Sequence, residues 1–74
     1  MISDLEKTLL KNFGQHIALI RKSKGLSYRK LALRCDIDYS DLRKYEKGEK
    51  NMTFLTMVEL AKGLEVPLKE LMDF

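Results

Sequence analysis

An all-α domain of five helices is the fold class this 74-residue sequence predicts, and three observations carry that expectation. Apolar residues recur at helical spacing along nearly the whole chain. No segment alternates apolar and polar residues for long enough to make a strand. Cap residues, Gly25, Gly48 and the one proline, Pro67, punctuate the periodic stretches. No repeat, low-complexity stretch or linker interrupts the chain, so residues 1–74 are expected to form one compact domain, with 1–12 as an N-terminal helix extension.

The elements follow in order. Ser3 and Glu6 have the spacing of a capping box and open a helix with Leu5, Leu9, Phe13, Ile17 and Ile20 on its apolar side. Lys24-Gly25 should end it, and Asn12-Phe13-Gly14 is a place where it could bend or split. Ser27 caps a short second helix carrying Leu31, Ala32 and Cys35, and Asp36 ends it. Asp38, with Asp41 three residues on, caps a third helix whose inner side is Leu42 and Tyr45, and Gly48 closes it. Thr53 caps a fourth with Phe54, Met57, Val58, Ala61 and Leu64 on one stripe. Pro67 stands where a fifth can begin, with Leu68, Leu71 and Met72 as its apolar side.

Composition excludes several classes of function. One cysteine allows no internal disulfide, and no Cys/His cluster has metal-ligand spacing, so neither a metal nor a cofactor is expected. Apolar runs are far too short to span a membrane. Residues 1–12 carry acids and no uninterrupted apolar block, unlike a signal peptide, which together with the free thiol points to the cytoplasm. No paired carboxylates lie near a histidine, no nucleophile has a base, and no glycine-rich phosphate loop appears, so an enzyme is not expected. No effector pocket is evident. His16 reads as a surface residue and Cys35 as an inert core residue.

The net charge of +3 is mild but unevenly spread: +3 over residues 1–26, +2 over 27–50 and −2 over 51–74. Such an asymmetry suits a domain with one face toward a polyanion. Ser27 to Lys47 is the informative stretch. Only Cys35-Asp36-Ile37-Asp38 separates two short helices, so they must cross steeply, as in a helix-turn-helix. Ala32 permits close approach and Ile37 plugs the turn. The third helix then offers Tyr39, Ser40, Arg43, Lys44 and Lys47 outward. A protruding, polar and basic helix of this kind fits the major groove of double-stranded DNA. Tyr39, Ser40, Arg43 and Lys44 are therefore the expected base contacts. Arg29 and Lys30 sit in the first turn of the second helix, where the helix dipole already places positive charge. That arrangement suits phosphate binding, with the Ser27 backbone and Tyr28 adding hydrogen bonds. Ser27, Tyr28, Arg29, Lys47, Lys50 and Asn51 are the expected phosphate contacts. Asp38 and Asp41 could accept from cytosine amino groups, but capping is the favoured role.

From Phe13 to Phe74 the chain resembles the Cro/CI-type (XRE) helix-turn-helix family, whose fold is lambda-repressor-like. The matching residues are Ile17, Arg21, Lys24-Gly25-Leu26-Ser27, Leu31-Ala32, Ile37, Leu42, Glu46-Lys47-Gly48, Leu60-Ala61-Lys62-Gly63-Leu64-Glu65-Val66 and Leu71. The resemblance implies a transcriptional regulator. It also implies a partly buried ion pair between Arg21 and Glu46, structural rather than catalytic. Tyr28 stands where the family often has Gln, Asp36 where it usually has Gly, and Met52 where it often has Pro. Asp36 tolerates a left-handed backbone, so the turn can survive. Gly48-Glu49-Lys50-Asn51-Met52-Thr53 is similar to controllers of restriction–modification operons.

A single reader of this size grips one half-site, so a homodimer on a palindromic operator is expected. Leu55, off the inner stripe of the fourth helix, and Leu68, Met72 and Phe74 after it are the candidate interface. The alternative is an antitoxin that binds a toxin protein and its own promoter.

Overall fold

The computed structural model describes residues 2–74. Helix α1 runs Asp4–Ser23, α2 Tyr28–Arg34, α3 Tyr39–Lys47, α4 Phe54–Leu64 and α5 Leu68–Leu71. No strand occurs among the described residues.

Local chemistry accounts for most boundaries. The Ser3 hydroxyl accepts from the Glu6 N–H while the Glu6 carboxylate accepts from the Ser3 N–H, a complete capping box. Those bonds hold the Glu6 carboxyl below its ordinary range. Ser27 accepts from the Lys30 N–H, and Thr53 from that of Thr56. Gly25 and Gly48 take positive φ where α1 and α3 end. Asp38 does precede α3, but its side chain makes no cap bond. Asp41 does not reach back either, because its carboxylate is engaged by Lys50 at 2.9 Å.

The core gathers Phe13, Ile17 and Ile20 of α1, Leu26, Leu31 of α2, Leu42 and Tyr45 of α3, Met52, and Leu60, Ala61, Leu64 and Leu71 of the last two helices. Met52 is buried there. Ile37 and Ala32 pack against this cluster at the α2–α3 turn. Leu5 and Leu9 are exposed, as is Phe54 at the start of α4. Periodicity identifies an apolar stripe; the described residues leave these ends of it largely uncovered.

Helix α1 runs unbroken through Gly14. A Cβ there would lie 2.5 Å from the Tyr45 carbonyl oxygen, and closer still to that of Glu46. Glycine is required because α1 rides directly on the backbone at the end of α3. The α2–α3 turn needs no left-handed residue at Asp36: Glu65, after α4, is the one non-glycine with positive φ among the described residues. His16 is not a free surface residue. Its Nε2 lies 2.7 Å from the Glu70 carbonyl oxygen and ties α1 to α5. Cys35 is half-buried, donates to the Leu31 carbonyl, and has its thiol pushed up by burial and then by the Glu59 carboxylate.

No helix among the described residues is long and apolar enough to cross a membrane. None of their His, Cys, Asp and Glu side chains form a group able to hold a metal ion.

Candidate nucleic-acid interface

The ion pair of Arg21 and Glu46 sets the position of the α3 face. Arg21 Nε donates to Glu46 Oε2 at 2.6 Å and Nη2 to Oε1 at 3.0 Å. Nη1 donates to the Leu26 carbonyl at 2.7 Å. The residues are only 6% and 8% exposed. A bidentate, charge-assisted contact of this kind fixes both position and rotation of the helix that carries the acid. The hydrogen bond to Glu46 outweighs burial and raises the Arg21 guanidinium above its already high range.

With Leu42, Tyr45 and Glu46 turned inward, α3 presents Tyr39, Ser40, Arg43, Lys44 and Lys47 to solvent. Ser40, Arg43, Lys44, Lys47 and Glu49 line a shallow hollow of about 190 Å³. Glu49 is an acid at this rim that helical periodicity does not flag, since it lies in the loop after α3. Arg29 and Lys30 are exposed on α2, and the Arg29 guanidinium lies 5.4 Å from the Tyr39 ring centre. Arg43 lies 6.0 Å from the same ring on the α3 side. Tyr39 is therefore flanked by two cations, within cation–π range.

Ser27, Arg29, Lys47, Lys50 and Asn51 are all exposed. The Ser27 hydroxyl oxygen is already an acceptor for the α2 cap, which leaves its proton to donate elsewhere. Lys50 is committed to Asp41 and also lies 5.6 Å from the Tyr45 ring centre. Tyr28 differs from the others. It is half-buried, its ring lies 4.3 Å from the Arg21 guanidinium, and it makes a T-shaped contact with the Tyr39 ring, at 84° with 5.8 Å between centres. Burial first, then the neighbouring Glu46 carboxylate, push its hydroxyl above the ordinary range. The sequence shows no sign of this aromatic step.

The residues singled out for self-association divide. Leu55 is 74% exposed, Met72 45% and Phe74 53%. Leu68 is half-buried against the core, and Phe74 stacks on Phe13 with ring centres 5.4 Å apart. Leu9, Leu10, Phe13, Met52, Met72 and Phe74 help line an open groove of about 300 Å³.

The family model described as Helix-turn-helix (HTH_3) matches residues 17–71. The chain is 36% identical over 63 residues to the control protein C.BamHI of Bacillus amyloliquefaciens, covering 84% of this chain and 78% of that protein. Among solved structures it is similar to the restriction-modification controller protein C.AhdI from Aeromonas hydrophila, with 33% identity and a TM-score of 0.85 over 86% of this chain and 97% of that one. It is similar also to the controller C.Esp1396I, solved as a tetramer in complex with its natural 35 base-pair operator: 27% identity, TM-score 0.76, 88% of this chain and 96% of that one.

Proposed function

The chain belongs to the helix-turn-helix family of DNA-binding transcription regulators, of the XRE (HTH_3) type, and on that premise we propose that it controls transcription by reading a palindromic operator in double-stranded DNA as a homodimer. The observation that carries the proposal is the α3 face, held rigid from behind by Arg21 and Glu46 and basic in front. Tyr39, Ser40, Arg43 and Lys44 read base edges in the major groove. Ser27, Arg29, Lys47, Lys50 and Asn51 take phosphates on either side and set the register. The likeness to controllers of restriction–modification operons, one of them solved on its operator, supports a controller-type regulator. It acts, in this reading, in the cytoplasm and without a catalytic step.

The dimer rests on the exposed Leu55, Met72 and Phe74, backed by Leu68. One patch used twice about a two-fold axis places two α3 helices about one DNA turn apart, ~34–36 Å. The groove between α1 and the C-terminal residues adjoins this patch, so Leu9 belongs to the same apolar surface.

Selection of bound sites from random duplex DNA tests the proposal. The expected result is an enriched inverted repeat with half-sites about one turn apart. Enrichment of no sequence, with binding insensitive to salt, overturns it. Recovery of a non-palindromic site removes the two-fold dimer alone. Co-purification of the chain with one stoichiometric toxin would favour the antitoxin alternative.

A further inference from the structure

We infer that Tyr28 is a positioning residue for base readout, acting through Tyr39 rather than by touching the DNA backbone. The inference rests on the proposed operator reading. Its basis is a continuous stack from the core to the outer face. Glu46 pins Arg21 through two hydrogen bonds, and the Leu26 carbonyl takes a third. Three hydrogen bonds hold the Arg21 guanidinium in one orientation, as a plate. The Tyr28 ring lies against that plate at 4.3 Å. The Tyr28 and Tyr39 rings meet nearly at right angles, the geometry in which one ring's positive edge faces another's negative face. Arg29 and Arg43 flank Tyr39 from α2 and α3.

Tyr39 needs such support. It is the first residue of α3, at a helix end where the backbone frays, and it is 39% exposed. An unsupported tyrosine there would sample several rotamers, and each contact it made would bear the entropy of choosing one. Packing Tyr28 against it selects the rotamer before DNA arrives. The Tyr28 hydroxyl meanwhile lies within the influence of the buried Glu46 carboxylate, a poor place from which to meet a phosphate.

The two roles predict different patterns. The selected operator and a set of single-base variants are titrated with wild type, Tyr28→Phe, Tyr28→Leu, Tyr28→Gln and Tyr39→Ala, each first checked for folding by its melting curve. Tyr28→Phe keeps the ring and should match wild type on every site. Tyr28→Leu and Tyr28→Gln should lose about three- to tenfold in discrimination, the range an aromatic pair supplies. That loss should fall at the same base position that Tyr39→Ala flattens. Added to Tyr39→Ala, Tyr28→Leu should cost nothing more at that position. Tyr39 ring resonances in the DNA-free protein should move in the Leu and Gln variants and not in the Phe variant. A uniform loss on all sites with Tyr28→Phe overturns the inference, because it marks a phosphate contact by the hydroxyl. Unchanged discrimination in both Tyr28→Leu and Tyr28→Gln overturns it too. Absence of any base preference in the wild type is a separate result, which removes the operator reading itself.

Discussion

Replacing Arg21 with Ala should destabilise the protein more than any exposed substitution on the α3 face. The side chain makes three hydrogen bonds, two to Glu46 and one to the Leu26 carbonyl. Its removal leaves the Glu46 carboxylate, 4% exposed, without a counter-charge and the Leu26 carbonyl without a donor. Breaking a buried pair from one side costs about 3–5 kcal/mol. At roughly 0.05–0.15 kcal/mol per residue, a chain of this length has only about 4–11 kcal/mol in total. The variant should therefore lose near half its stability, with a melting midpoint lower by at least ~12 °C for a domain of this size. Circular dichroism melts of wild type, Arg21→Ala, Glu46→Ala and the double variant supply the cycle. The second substitution should add little to the first, since it removes the orphaned partner. Replacing both residues together, as Arg21→Met with Glu46→Leu, should recover much of the loss, because apolar side chains of similar volume replace buried pairs at little cost. A midpoint for Arg21→Ala within 2–3 °C of wild type, well under the shift from 1 kcal/mol, would refute the reasoning.

Four further expectations have separate measurements. Gly14→Ala should lower stability by about 1–3 kcal/mol by overpacking against the α3 carbonyls, although alanine favours helix by up to ~1 kcal/mol; a melt at or above wild type contradicts this. Lys44→Ala should cost ~1–3 kcal/mol at one operator position, whereas Lys50→Ala should weaken all sites and lower the salt slope by about one unit. The Lys50 loss should exceed that of Lys47→Ala, because it also leaves Asp41 an uncompensated anion beside the DNA; an equal or smaller loss argues against the pair mattering. Leu55→Glu and Met72→Glu should shift sedimentation at micromolar concentration from dimer to monomer, and a wild type that is already monomeric ends the dimer proposal. Cys35 should resist alkylation near neutral pH until the protein unfolds, since burial raises the thiol and only the thiolate reacts; rapid native-state labelling would be the contrary result.

How much was legible in the sequence depends on how local each feature is. Ser3, Ser27 and Thr53 cap the helices they were expected to cap because the hydrogen bond closes within three residues. Ile17, Leu31, Leu42 and Leu64 are buried because one apolar stripe per helix is a period the sequence displays directly. What depended on a second element was not visible. Periodicity places Leu5 and Leu9 on the apolar side of α1, yet the described residues leave both exposed. Gly14 looks like a weak point until α3 is laid across it. Asp38 and Asp41 have the spacing of caps, but Lys50, nine residues on from Asp41, competes for one carboxylate and wins. The Arg21–Glu46 pair spans 25 positions and was accessible only through family resemblance, which carries tertiary information that spacing lacks.

Three departures from local preference lie close together in the fold. Helix α2 has no acid in its first turn and carries Arg29 and Lys30 instead, against its own dipole. Asp38 precedes α3 without capping it. Tyr39, an aromatic, stands exposed at a helix start between two guanidiniums. The first two are mildly unfavourable for the isolated fold, and all three lie on α2 and the start of α3. Scattered departures would be unremarkable in a small domain. Others occur elsewhere, Glu65 at positive φ after α4 among them, but a group of departures on α2 and the start of α3 is what a sequence shows where it gives up local consistency for function. A polyanion reverses the sign of the first: phosphate beside Arg29 and Lys30 turns a repulsion within α2 into an attraction. In the proposed operator complex, DNA against the α2–α3 surface would offset what these departures cost the isolated fold.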